Sequence, residues 1–207
     1  MLIIPDIHEQ VDQLQKIDNL FGTTEPRIYL GDWVDSFKST DKSRQDTLDY
    51  LAAELALKDR TFLWGNHDYQ YHDHNGRCSG YSKDMASRIA STLPTDWADH
   101  FKPFTSHGTY MISHAGFNKP PEDWPTVKSM LLAVGYSRGG KSPVGGPLWL
   151  DWEEEFNGIP NEFQIVGHTR GKHPRIHPRG ICIDCDCRYV LKFTKRHGME
   201  SLEIVPV

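Results

Sequence analysis

The chain has 207 residues, 38% of them hydrophobic and 25% charged, with a formal net charge of −5, which predicts a single domain over residues 1–207 with one core. No apolar run is long enough to cross a bilayer, and Met1-Leu2-Ile3-Ile4 follows no basic segment of secretory type, so a cytoplasmic protein with no membrane partner is expected. The acidic balance argues against a stable nucleic-acid partner.

In chain order, short apolar runs stop at residues that carry chemistry. Leu2-Ile3-Ile4 precedes Asp6 and His8, and helical spacing follows over residues 10–21. Ile28-Tyr29-Leu30 leads to Gly31-Asp32-Trp33-Val34-Asp35, with a second helix expected over 46–57. Phe62-Leu63-Trp64 leads to Gly65-Asn66-His67-Asp68. Residues 69–107 are polar, aromatic and loop-rich apart from a helix over 83–93, which predicts a lid or insertion. Tyr110-Met111-Ile112 precedes Ser113-His114-Ala115-Gly116, and the glycine-rich stretch 135–146 predicts a mobile loop. Residues 163–166 precede Gly167-His168-Thr169, and 180–205 alternate as two or three strands with a turn near His197-Gly198. Strands alternating with helices predict a layered α/β core with its ligands beyond the carboxyl ends of the strands.

Four cysteines, Cys78, Cys182, Cys185 and Cys187, are expected to be free thiols in a reducing compartment. Strand alternation would turn Cys185 and Cys187 one way and Cys182 the other. No fourth ligand stands at a recognised spacing, so a buried strand is favoured over a metal knuckle. His72, Asp73 and His74, and the basic stretch His173, Arg175, His177 and Arg179, are read as solvated. The six tryptophans are read as core.

Asp6-x-His8, Gly31-Asp32-x-x-Asp35, Gly65-Asn66-His67-Asp68, His114 near Gly116 and Gly167-His168 resemble, in order and spacing, the calcineurin-like metallophosphoesterases over most of the chain. The resemblance implies an α/β fold in which two mixed β-sheets pack as a sandwich flanked by α-helices, with two metals at one edge. It implies a metal-dependent phosphoric ester hydrolase, with Asp32 bridging two divalent ions. Asp6 and His8 would complete the first sphere, and Asn66, His114 and His168 the second. Mixed imidazole, carboxylate and amide donors suit Mn²⁺, with Fe, Zn, Ni and Co as alternatives, better than Ca²⁺. A water bridging the metals would attack the phosphomonoester directly. His67, following a ligand asparagine, would be free to act as general acid, and Asp35 would orient it and raise its pKa.

Arg170 stands where many nucleases of this kind carry a second histidine in G-H-x-H. Gly167-His168-Thr169, Ile112-Ser113-His114-Ala115-Gly116, Leu148-Trp149 and Ile183-Asp184 are similar instead to the phosphoprotein phosphatase branch. That branch includes bacterial and phage protein phosphatases and diadenosine tetraphosphate hydrolases. It normally places phosphate-binding arginines where this chain has Ser36 and Asp151. Arg138, Lys141 and Arg170 are the candidate replacements. The substrate expected is phosphorylated: a phosphoprotein, a small phosphomonoester or a nucleotide. A serine/threonine protein phosphatase leads, a dinucleoside-polyphosphate hydrolase is the alternative, and a non-catalytic scaffold is least favoured because the ligand set is complete.

Overall fold

The computed structural model describes every residue except Arg77, His197 and Gly198, and only the backbone of Arg196, Met199 and Glu200. The turn expected near His197-Gly198 lies outside the described residues. In the first sheet, β1 (Leu2–Ile4), β2 (Arg27–Tyr29), β3 (Arg60–Leu63) and β4 (Phe101–Lys102) run parallel. Beyond β1 lie β10 (Tyr189–Arg196) and β11 (Met199–Pro206), so the sheet order is β11-β10-β1-β2-β3-β4. The second sheet contains β5 (Phe104–His107), β6 (Tyr110–Ser113), β7 (Phe163–Val166), β8 (Arg175–His177) and β9 (Gly180–Cys182), ordered β5-β6-β7-β9-β8. Its three central strands are parallel and its two edges antiparallel. Both sheets are therefore mixed.

Alternation along the strands builds the layers. Ile3, Ile28, Leu63 and Leu191 of the first sheet pack with Ile112, Ile165 and Ile181 of the second, closing the sandwich. Leu2, Ile4, Tyr29 and Phe62 point the other way, onto helices. These are α1 (Val11–Phe21), presenting Leu14 and Ile17, α2 (Asp41–Leu55), presenting Leu48 and Leu51, and α4 (Lys83–Thr92), presenting Met85 and Ile89. Those pairs are one helical turn apart, and each buried side chain contributes roughly 1.5–3 kcal/mol of transfer free energy. The short helix α3 (Asn66–His72) starts directly after β3. Met130 of α5 (Val127–Leu131) packs with Phe117 and Ile159 in a smaller cluster.

Three expectations need correction. Helix α2 begins at Asp41 rather than at residue 46, because Thr40 and Ser43 form a capping box, Ser43 N–H donating to Thr40 Oγ1 at 3.0 Å and Thr40 N–H to Ser43 Oγ at 2.9 Å. That first turn is polar and carries no apolar period, so periodicity missed it. Residues 69–107 are not a detached lid: Met85, Ile89, Leu93 and Phe101 are buried in the main core, and β4 and β5 each form a sheet edge. Cys185 and Cys187 lie in the turn between β9 and β10 rather than on a strand. Helices 1 and 4 otherwise run close to their expected spans, and three strands occupy 180–206 as alternation suggested. Among the described residues no helix is long and apolar enough to cross a membrane.

Candidate metal and phosphoryl site

The loops leaving β1, β2, β3, β6 and β7 converge at one edge of the sandwich. Five of their non-glycine residues hold left-handed backbone: His8 (φ 42°), Glu9 (φ 61°), Asp32 (φ 52°), Asp35 (φ 64°) and His168 (φ 64°). Each such conformation costs of order 1–3 kcal/mol, and it persists only where neighbours over-determine it. The neighbours are visible: Ile7 and His8 amides donate to Asp32 O at 3.1 and 2.7 Å, and the Trp33 amide donates to the buried Asp68 carboxylate at 2.8 Å. Two glycines make room for the carboxylates. A Cβ at Gly65 would lie 2.1 Å from Asp32 Oδ1, and one at Gly167 would lie 1.9 Å from Asp6 Oδ1.

Among the described residues, two groups bring potential ligand atoms within 4.8 Å of one another: Asp6, His8 and Asp32, and Asp32, His114 and His168. Asp32 belongs to both. His8 Nδ1 donates to Val34 O at 3.1 Å and His114 Nδ1 to Leu30 O at 2.8 Å, since a carbonyl can only accept. This leaves each Nε2 with a lone pair, and each lies 3.4 Å from Asp32 Oδ2. His114 Nε2 is also 3.1 Å from Asn66 Oδ1 and 3.1 Å from His168 Nδ1. Imidazole, amide and carboxylate ligand atoms gathered this closely fit a cation between them. His168 Nε2 is buried without a hydrogen-bond partner, while the His168 amide donates to both Asp6 oxygens at 3.1 and 2.9 Å.

Electrostatics favour the same ligand forms. Burial pushes the His114 imidazole down, and burial together with the nearby Arg138 charge pushes His168 well down, so both are neutral. Burial opposes the charge on Asp32, yet the His114, His67, His8 and His168 rings outweigh it and hold the carboxylate well below its usual range. Burial, Asp184 and Asp32 push Asp6 well up. Neutral imidazoles around an ionised carboxylate, with a second carboxyl strained by its acidic neighbours, fit divalent cations.

His67 sits beside this cluster. Its amide donates to Asp32 Oδ1 at 2.9 Å and its Nδ1 lies 3.3 Å from Asp35 Oδ2. Asp35 also accepts from Gln70 Nε2, and its Oδ1 from Tyr71 OH at 2.7 Å. Burial disfavours the imidazolium, but Asp32 and the bond to Asp35 prevail and raise the His67 pKa to about 11. Sequence reasoning missed Gln70 and Tyr71, although both stand one helical turn from His67, a spacing that could have flagged them.

The cluster opens into a cavity of about 970 Å³ lined in part by His8, Asp32, Asn66, His67, His168 and Asp184. Asp184, buried and lining the same cavity, stood out in the sequence only as part of a resemblance. Of the candidate cations, Arg138 and Arg170 line the cavity, whereas Lys141 is exposed and does not. Arg170 forks onto Asp186, with Nε–Oδ1 at 2.6 Å and Nη2–Oδ2 at 2.8 Å. Ser36 donates its amide to the buried Glu9 carboxylate at 3.2 Å, and the neighbouring Phe37 stands 90% exposed at the mouth.

The other polar clusters have local explanations. His72 stacks on Trp64 at 5.2 Å, Asp73 pairs with Lys128 at 2.7 Å, and His173 Nδ1 meets Tyr189 OH at 3.0 Å. All four cysteines are free. Cys182 Sγ donates to Gly167 O at 3.1 Å and Cys187 Sγ to Asp6 O at 3.0 Å, behind the ligand loops, and burial pushes the Cys182 thiol up to about 12. Trp33 and Trp64 are core, but Trp149 lines the cavity.

A family model described as calcineurin-like phosphoesterase matches residues 1–202. Curated protein sequences return no significant match. Among solved structures, a protein serine/threonine phosphatase from Saccharomyces cerevisiae with similarity to human phosphatase PP5 superposes with a TM-score of 0.59 at 14% identity, covering 100% of this chain and 79% of its own. The cold-active protein-tyrosine phosphatase of a psychrophilic Shewanella species superposes with a TM-score of 0.56 at 16% identity, covering 92% and 73%. Identities this low speak for shared fold.

Proposed function

The chain belongs to the calcineurin-like phosphoesterase family, as a metal-dependent phosphoester hydrolase, and we propose that it cleaves a phosphomonoester at the cluster around Asp32. Asp6, His8 and Asp32 would hold one divalent cation, and Asp32, Asn66, His114 and His168 a second, with Mn²⁺ the best match. Bound there, the ions would polarise the phosphoryl group and activate water for in-line attack. His67 would hand a proton to the leaving oxygen, and Asp35, itself fixed by Gln70 and Tyr71, would keep the imidazole protonated and aimed. Arg138, Arg170 and Lys141 are the candidate cations for the substrate. The hydrophobic cluster shared by the two sheets supports one domain over 1–207, and four free cysteines agree with a cytoplasmic setting.

One observation carries this reading: Asp32 belongs to both groups of ligand atoms, with His8 Nε2 and His114 Nε2 each 3.4 Å from its Oδ2, and Asn66 Oδ1 and His168 Nδ1 each 3.1 Å from His114 Nε2. The test is Mn²⁺-dependent hydrolysis of p-nitrophenyl phosphate and of phosphoserine, phosphothreonine and phosphotyrosine peptides. Activity should collapse in Asp32→Asn, and inactivity across divalent metals and all these esters would sink the proposal. The cavity of about 970 Å³, with Phe37 at its mouth and Trp149 in its wall, is larger than one phosphoryl group needs and favours a second reading, a dinucleoside-polyphosphate hydrolase. Product analysis with diadenosine tetraphosphate separates the two.

A further inference from the structure

We infer that Asp151 is a positioning residue that turns Arg138 toward the phosphoryl group of the substrate, so that this pair supplies a guanidinium grip from the glycine-rich loop. The inference rests on the phosphoester reading of the site.

The loop expected to be mobile is pinned. Arg138 and Gly140 amides donate to Gly135 O at 3.1 and 2.9 Å, and the buried Glu155 carboxylate accepts from Ser137 Oγ at 2.5 Å and Gly145 N at 2.8 Å. A Cβ at Gly135 would lie 2.1 Å from Glu155 Oε1, so this closure needs glycine there. The loop therefore presents Arg138 at a defined place, between the 970 Å³ cavity and a neighbouring one of about 340 Å³.

The guanidinium is held at one end only. Arg138 Nη2 donates to Asp151 Oδ2 at 2.7 Å and to Thr169 Oγ1 at 3.0 Å, and Thr169 directly follows the cluster residue His168. Among the described residues, Nε and Nη1 have no protein acceptor, and the side chain keeps 32% of its exposure. Asp151 is oriented independently, because its Oδ1 accepts from the Glu153 and Glu154 amides at 2.8 and 3.0 Å. Arg170, by contrast, spends its fork on Asp186. Arg138 is thus the cavity arginine with directed donors left over.

Asp151→Asn has two opposed effects: it frees the arginine charge, which favours phosphate, and it removes the carboxylate that aims the fork, which disfavours it. The inference requires aim to prevail. Inorganic-phosphate binding to the Mn²⁺-loaded protein by calorimetry, and KM and kcat for p-nitrophenyl phosphate, are measured for wild type, Arg138→Ala, Asp151→Asn and the double variant. Each single change should weaken phosphate binding and raise KM by about tenfold, with a much smaller change in kcat, and the double variant should be no worse than Arg138→Ala. Asn retains the Oδ1 acceptor, so the melting temperature reports whether the turn survives. Should it not, Arg138→Lys, which keeps the charge and loses the fork, must show the same rise in KM. Phosphate binding that is unchanged or tighter in Asp151→Asn, or effects that multiply in the double variant, would overturn the inference. A wild type that turns over no ester, yet binds phosphate with this variant pattern, would fail the phosphoester reading and leave the grip standing.

Discussion

Asp35 Oδ2 lies 3.3 Å from His67 Nδ1, and the same carboxylate accepts from Tyr71 and Gln70, so the partner of the imidazole is itself locked. If His67 donates to the leaving group, His67→Asn lowers kcat by about 10²–10⁴-fold while leaving metal content unchanged. Asp35→Asn should lose less, because the imidazole remains and only its aim and charge stabilisation go. Single-turnover rates with metal analysis check both, and a fully active His67→Asn would remove the general-acid assignment.

The raised pKa of His67 has a consequence for stability in the metal-free protein. Folding lifts it from the ordinary 6.5 to about 11, so the native state binds this proton more tightly than the unfolded chain. Its stabilising contribution is complete below pH 6.5, declines as pH rises, and is gone above about 11. The stability gap between wild type and His67→Asn in urea denaturation should therefore narrow as pH is raised through this window. Saturating Mn²⁺ should flatten the dependence, since cations at Asp32 take up the charge that sustains the shift.

Asp6 is pushed up by burial and by Asp184 and Asp32. Asp6→Asn keeps an acceptor for the His168 amide and removes one buried charge, so the metal-free variant should be no less stable than wild type. The stabilisation that Mn²⁺ confers, about 2.7 kcal/mol at a hundredfold excess over Kd, should fall sharply. Melting temperatures with chelator and with Mn²⁺ separate the two effects, and an unchanged metal response would exclude Asp6 as a ligand.

Glycine substitutions probe the close approaches. Gly65→Ala drives a methyl to 2.1 Å from Asp32 Oδ1, and Gly167→Ala drives one to 1.9 Å from Asp6 Oδ1. Both should lose metal binding and at least about 2 kcal/mol of stability. Gly139→Ala meets nothing within 4 Å but keeps φ at 75°, so backbone strain of about 1 kcal/mol is its whole cost, with metal binding intact. Chemical denaturation and metal titration of the three proteins make the comparison.

Strands were legible because a short apolar run that stops at a polar motif is a local signal: Leu2-Ile3-Ile4, buried throughout, ends just before Pro5 and Asp6. The capping box at Thr40 and the anchoring of 69–107 were not, since the first has no apolar period and the second depends on Met85, Ile89 and Phe101 meeting residues far along the chain. In the site, the candidate donors Asp6, His8, Asp32, Asn66, His114 and His168 could be picked out because each follows a strand in a short polar motif. Gln70 and Tyr71 carried only their helical spacing from His67 as a signal, and Glu9 carried none, because a carboxylate in a polar stretch bears no mark of what it will hold.

The sequence by itself determined the order of the candidate donors and the strands that carry them, because short apolar runs and turn chemistry act over a few residues. Only tertiary structure decided which cations reach the cavity. Arg138 meets Thr169 across 31 residues of chain, and Asp151, where an arginine was expected, lies against it. Charge type is written in the sequence, but a guanidinium's unspent donors are set by the packing of segments that no local spacing connects.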